Sequence, residues 1–282
     1  MAKIQSLSVL VDASPATAEY LAEKYAGVIA NVQKMTTSGR IKNTDLSGDP
    51  EAGTVVAKRF VNASSQAYGT ARAAGAGNKV KDKEVTIPID QNKEFVEEIE
   101  EKDIKLLGVD GLISKRTRNH AMRLAAELDE KFYLQAQTEG SAFTPAAGVT
   151  AIQDIVESAI VTLETLKNNY IDGLDRSMLS VVMSPETYSA MRSYLDTVVN
   201  TNVDTTSEQF FVYHGVKVFS SNRLPQGVSF IVMMDGSIAQ PVMSHPYKAE
   251  RIPLSDAVAL ELFFYYGTKA VTPETILVYS PA

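Results

Sequence analysis

Three histidines, His120, His214 and His245, are the first residues to question for chemistry. They stand far apart, and none has a metal-ligating partner at i+3 or i+4, so all three read as structural. There is no cysteine, which removes thiol nucleophiles, disulfides and thiolate metal sites together. No serine sits in a G-x-S-x-G elbow and no phosphate-binding P-loop is present. Gly75-Ala76-Gly77 begins like a dinucleotide fingerprint but lacks its third glycine and the helix that should follow, so it reads as a hairpin tip. The densest carboxylate run is Glu94, Glu97, Glu98, Glu100, Glu101 and Asp103, with Lys93, Lys102 and Lys105 interleaved. Such a run suits an acid/base pair or a cation site, but the interleaved lysines favour a solvated or partner-facing side. About ten residues on, Lys115, Arg116, Arg118 and Arg123 form a basic cluster without interleaved aromatics. That pattern favours pairing with an acidic surface over gripping phosphate. No catalytic residue, cofactor loop or metal set is expected.

Composition points the same way. The chain has 282 residues, 45% hydrophobic and 22% charged, with net charge -7. An acidic balance argues against a protein whose main task is neutralising nucleic-acid phosphates. The length lies where one core tends to split into lobes. Phe230 to Met234 is the longest clean apolar run, strand-length and far short of a membrane span. The apolar Leu7 to Val11 is too short for a secretory signal, so the chain reads as mature cytosolic sequence.

The elements organise around one long helix, Ser114 to Thr138, with Ser114 as N-cap. Ala121, Leu124, Ala125, Leu128, Phe132 and Ala136 recur at the spacing that lines one face. It would run about 37 Å, a spine with a sheet on one side. Before it, Ser14-Pro15 opens a helix to about Met35, followed by a polar stretch, 36–53, that needs a surface to lie on. Thr54 to Val61 and Glu84 to Asp90 alternate as the two strands of a long hairpin. A two-stranded hairpin is marginal alone, so this one should lean on another body. Residues 93–105 are expected as an acidic helix with Phe95, Val96 and Ile99 inward.

Beyond Pro145 helices and strands alternate. Thr150 and Gln153 form an expected capping box for a helix striped by Ile152, Ile155, Val156, Ala159, Ile160, Leu163 and Leu166. A buried strand follows at 178–183, a helix from Ser184-Pro185-Glu186 to about Val199, a polar loop at 200–208, and strands at 216–220 and 228–234. The tail returns to β. Val258, Leu260, Leu262 and Phe264 share one strand face, Gly267 breaks the run, and Thr275 to Tyr279 is a last strand.

This order of parts resembles the tailed-bacteriophage major capsid protein, the Hong Kong ninety-seven-type fold. The run VTIPIDQNKEFVEEIEEKDIKLLGVDGLISKRTRNHAMRLAAELDEKF at 85–132 is similar to the hairpin return and spine of phage capsid subunits. VMSPETYSAM at 182–191 resembles the strand-turn-helix of their axial lobe, and 237–279 resembles their C-terminal return. The resemblance implies an α+β fold: an N-terminal arm with helix at 1–50 and an extended β-hairpin loop at 51–92. A peripheral domain with the spine helix takes 93–147 and 244–282, and an α/β axial domain takes 148–243. It implies a structural, non-enzymatic subunit that assembles with itself, through pentamers and hexamers, into the icosahedral head around a double-stranded DNA genome. Portal and a separate scaffolding protein are the implied partners. Packaged DNA is met only through weak, non-specific contact, no membrane is involved, and assembly takes place in the host cytoplasm. Subunit-contact candidates are then Glu97, Glu98, Glu100, Glu101, Arg116 and Arg118, with Gly75, Gly77 and Lys79 at the loop tip. Encapsulins, the shells of bacterial nanocompartments, share the fold and are the alternative. A small α/β enzyme built on 149–243 is the remote one, and it would need a concave polar pocket with a perturbed acid or base.

Overall fold

The computed structural model describes residues 36–48, 53–63, 65, 67–70, 81–99, 109–197, 211–244, 248–251 and 258–281. The helix expected over 15–35, the loop tip around Gly75 and Gly77, and the polar loop at 200–208 lie outside them. In chain order the first elements are β1 (Thr54–Phe60), β2 (Asp82–Pro88), β3 (Gln91–Ile99) and helix α1 (Val109–Glu139). Next come β4 (Ser141–Ala142), α2 (Ile152–Glu164), β5 (Leu179–Met183), α3 (Pro185–Thr197), β6 (Val212–Tyr213), β7 (Val216–Ser220) and β8 (Phe230–Met234). The tail carries β9 (Ile238–Ala239), β10 (Val242–Ser244), β11 (Lys248–Arg251), β12 (Val258–Tyr266), β13 (Lys269–Ala270) and β14 (Ile276–Tyr279).

The chain divides into two compact units. The first takes residues up to 40, 89–129 and 241–267; the second takes 41–88, 130–240 and 268–282. Helix α1 therefore gives its first part to one unit and its last to the other, and the tail is shared in the same way.

The second unit is built on a six-stranded mixed sheet in the order β4-β14-β8-β5-β7-β6. Strand period sorts its side chains into two cores. Val181, Met183, Phe230, Val232 and Leu277 pack with Ile155, Val156, Ala159, Ile160 and Leu163 of α2 and Met191 of α3. Val182, Ile231, Met233, Ile276 and Val278 point the other way, onto Phe132, Tyr133 and Ala136 of α1. Strand β5 is consequently buried at every position, which is why LSVVM carries no alternation. Each fully buried side chain of this size contributes about 1.5–3 kcal/mol. The expected stripe of α2 is in place, but its capping box is not. The helix begins at Ile152, and Ala151 caps it without a side-chain hydrogen bond.

The hairpin pairs β1 with β2 from Thr54↔Pro88 to Phe60↔Asp82. It leans on its own chain, as its thin apolar content demands. Ala57, Ile87 and Val85 meet Ala239 and Val271, Lys269 Nζ donates to the Thr86 carbonyl at 3.2 Å, and the buried Arg59 pairs with Glu274. Arg59 also lies 4.3 Å over the Tyr170 ring. Residues 41–48 run along the same unit: Ile41 is buried in the α1 core, Asn43 bridges to Ala239, and Ser47 bridges to Val56.

In the first unit β12 is central. Strand β3 pairs with it from Val258↔Ile99 to Tyr266↔Gln91, while β10 and β11 lie end to end along its other side. The helix expected at 93–105 is thus corrected to a strand at 91–99. Phe95, Val96 and Ile99 do share a helix face, but three apolar residues bury little, and a short helix is marginal in water. A long unpaired edge of β12 decides the matter by offering a nine-residue ladder. Helix α1 also starts earlier than expected, at Val109, so Ser114 lies inside it rather than capping it. Its 31 residues span about 46 Å. The predicted stripe Ala121, Leu124, Ala125, Leu128, Phe132 and Ala136 is buried throughout.

Candidate subunit-contact surface

The acidic strand and the basic start of α1 face one another within the first unit. Strand alternation turns Lys93, Phe95 and Glu97 toward the helix. Glu97 Oε1 lies 3.0 Å from Arg116 Nη2, and its Oε2 lies 3.0 Å from His120 Nε2. The second contact is an ion-pair distance without hydrogen-bond alignment. The ring of Phe95 stacks on His120 at 5.2 Å and on Phe264 at 5.5 Å. Farther along, Glu127 accepts from Tyr266 at 2.9 Å and meets Lys93 Nζ at 3.4 Å. His120, read as structural from the sequence, is buried here at 2% exposure.

Two of the contact candidates, Glu97 and Arg116, are therefore already paired inside the chain. With Arg116 nearly half exposed, the pair is worth about 0–1 kcal/mol. Glu98 and Arg118 are different. Both are exposed, and no ion pair involves either among the described residues. Glu98 shares the outer face of β3 with Glu94 and Val96, which is 51% exposed. Glu100, Glu101, Gly75, Gly77 and Lys79 lie outside the described residues.

Sequence reading missed a second charged cluster, on the second unit. Arg176 donates to Glu164 Oε1 at 2.8 Å and to Glu157 Oε1 at 2.5 Å. A third bond reaches the His214 carbonyl at 3.3 Å. His214 Nδ1 returns to Glu157 Oε2 at 3.0 Å. Burial pushes the Glu157 carboxyl up, but the hydrogen bonds from Arg176 and His214 outweigh it and hold the group below its ordinary range. Glu164, then Glu157, raises the Arg176 guanidinium. Burial, with the Glu157 charge behind it, pushes the Tyr213 hydroxyl up to about 12. The cluster clamps the two-residue turn between β6 and β7, where His214 has φ 47 and Gly215 φ 89, the left-handed pair such hairpins require. Glu157 and Glu164 stand seven apart, so they share one face of α2. Nothing in their spacing points to Arg176.

A cleft of about 730 Å³ in the second unit is lined by Lys42, Lys58, Arg59, Tyr170, Asp172 and Asp235 among others. Most of its charges are answered locally. Lys58 meets Glu84 at 3.2 Å, Asp172 meets Lys167 at 3.0 Å, and Asp235 meets Lys217 at 2.6 Å. Lys42 donates to the Gln240 carbonyl at 3.4 Å, and burial lowers its pKa. These neighbours supply no nucleophile hydrogen-bonded to a base. Among the described residues no cluster of His, Cys, Asp or Glu could hold a metal, and no helix is long and apolar enough to cross a membrane. The two charged clusters and this cleft are the candidate contact features of the described surface.

A family model described as phage capsid protein matches residues 94–279. Among solved structures, one from Mycobacterium phage Che8 is 21% identical, with 80% of this chain and 84% of that one aligned at a TM-score of 0.60. The capsid of Cyanophage P-SCSP1u is 12% identical over 88% of this chain and 86% of its own, also at 0.60. A virus-like particle from Pyrococcus furiosus is 12% identical, covering 93% of this chain and 100% of its own at 0.57. No curated protein matches the sequence. At these identities the structural likenesses speak for the fold.

Proposed function

The chain belongs to the phage capsid protein family, and on that premise we propose that its copies close into the icosahedral head of a tailed double-stranded DNA phage. It is a structural major capsid protein and a component of the virion. The observation that carries the fuller reading is the family match over 94–279, which takes in α1, the six-stranded sheet and β12 together. In this reading the subunits form pentamers and hexamers during assembly in the host cytoplasm, with a portal and a separate scaffolding protein. Of the arm and loop, residues 41–48, β1 and β2 pack on their own chain, which leaves the residues before Thr36 and the hairpin tip to supply contacts to neighbours. Many weak heterologous contacts close because the symmetry closes. Glu98 and Arg118 are the contact residues best supported, since their charges are exposed. The role requires no catalysis. The net charge of -7 suits a wall that does not grip the DNA it surrounds.

The nanocompartment-shell reading has only a shared fold behind it, whereas the phage reading rests on the family itself. One experiment tests the proposal. The full chain is expressed alone, its mass in solution is measured, and the large fraction is imaged by negative stain. Closed shells, tubes or capsomers with empty interiors are expected. A 30.7 kDa monomer that stays monomeric when its scaffolding protein is supplied overturns it, and shells that retain a host enzyme favour the nanocompartment.

A further inference from the structure

Asp129 is an acid where the helix pattern calls for an apolar residue. It stands four after Ala125 and three before Phe132, on the buried stripe of α1, and is 1% exposed. A buried carboxylate is costly unless fully hydrogen-bonded, and this one is. Its Oδ1 accepts from the Ser38 backbone N–H at 3.0 Å and from Ser38 Oγ at 2.6 Å. Its Oδ2 accepts from the Thr37 backbone N–H at 3.2 Å and from Thr37 Oγ1 at 3.1 Å. One side chain thus holds two consecutive residues by both backbone and hydroxyl, more than ninety positions away in sequence. Thr36 and Ser38 are themselves buried, and a single 3₁₀ turn, Ser38–Arg40, follows. A leucine at this position would fill the same stripe without holding anything. Polar groups in such places trade stability for a unique arrangement.

We propose that Asp129 is a positioning residue for shell assembly: by fixing the backbone of Thr37 and Ser38 against α1 it holds residues 36–40, with the exposed Arg40 among them, in the one arrangement that a second copy meets. The proposal rests on the capsid-shell reading and adds the residue that fixes this contact turn. Four hydrogen bonds to one charged acceptor restrain both φ/ψ and χ1 of the pair they hold. Losing them releases the φ/ψ and χ1 of Thr37 and Ser38 from that restraint.

The test uses the full chain with Asp129→Asn and, separately, with Thr37→Val and Ser38→Ala combined. Two quantities are read: the rate of tryptic cleavage after Arg40 in unassembled subunits, and the yield of closed shells. Losing a charge-assisted clasp should speed cleavage about tenfold or more and cut shell yield sharply, with either variant. Combining all three changes should be no worse than Asp129→Asn alone, because both sides belong to one interaction. Unchanged cleavage in the Thr37/Ser38 variant overturns the clasp. Faster cleavage with undiminished shells overturns its role in assembly. If Asp129→Asn fails to fold, the Thr37/Ser38 variant, which leaves α1 untouched, decides alone. A wild type that forms no shells even with its scaffolding protein supplied defeats the capsid reading while leaving the cleavage comparison intact.

Discussion

Glu157 holds its place against two opposing influences, burial and a pair of hydrogen-bond donors. The donors win, so its folded pKa lies below the ordinary glutamate value of 4.5. A depressed carboxyl stabilises the fold at pH above the unfolded value, and that contribution is lost as pH falls through the folded one. Glu157→Gln should therefore lower the thermal midpoint at pH 7, by about 1 kcal/mol of stability. The gap to wild type should close as the solution is acidified below pH 4.5. Melts over a pH series check this, and a gap that persists at pH 3 would show that packing, not charge, is responsible. Tyr213 works in the opposite direction. Its raised pKa keeps the neutral form in the fold, a contribution that fades above the ordinary tyrosine value of 10. Neither residue is singled out by its neighbours in sequence, because the groups that perturb them arrive from other elements. Asp129 is the sharper case. Its departure from the apolar stripe was visible, but the hydroxyls that answer it lie in a polar stretch with no periodicity of its own.

Among elements, those with a strong period were legible. The stripes of α1 and α2 and the strands at 179–183, 216–220 and 258–266 all occupy the expected places. Strand β3 was not, because its few apolar residues carry a helical spacing, and the partner that makes it a strand lies more than 150 residues downstream. Helix ends were read from capping residues: the Ser184 cap holds, with the Thr187 backbone N–H donating to its Oγ at 3.2 Å, while the caps expected at Ser114 and Thr150 failed where tertiary packing let the helix begin elsewhere. The far end of α1 is more demanding. A Cβ on Gly140 would come within 2.4 Å of the Ala136 carbonyl oxygen and 2.7 Å of Ile276 Cγ2. Gly140→Ala must displace backbone or β14, at a cost of about 1–3 kcal/mol. Chemical denaturation reads this, and wild-type stability would mean that β14 yields without strain. For the hairpin, deletion of residues 72–78 leaves the β1–β2 ladder untouched. Such subunits should fold normally and assemble poorly, and a wild-type yield of closed particles would count against a role for the tip.

At the scale of the whole molecule, charge reversal separates folding from assembly. Arg116 is tied to Glu97 inside the chain, so Arg116→Glu disturbs the subunit itself. Arg118 carries no such tie among the described residues. Arg118→Glu should leave the thermal midpoint within the roughly 0.5 kcal/mol typical of surface changes while reducing shell yield. Normal shells from that variant would remove Arg118 from the contact set. An exposed pair contributes little by itself, but a shell repeats every contact with each copy it adds.

The arrangement around β12 has a consequence for how such a protein changes over generations. Strand β3 braces one side over nine residues, while the other side is met in two installments by β10 and β11. Each short ladder holds by itself, so a lineage that loses residues from one leaves the pairing of the other with β12, and the whole of the β3 ladder, as they were.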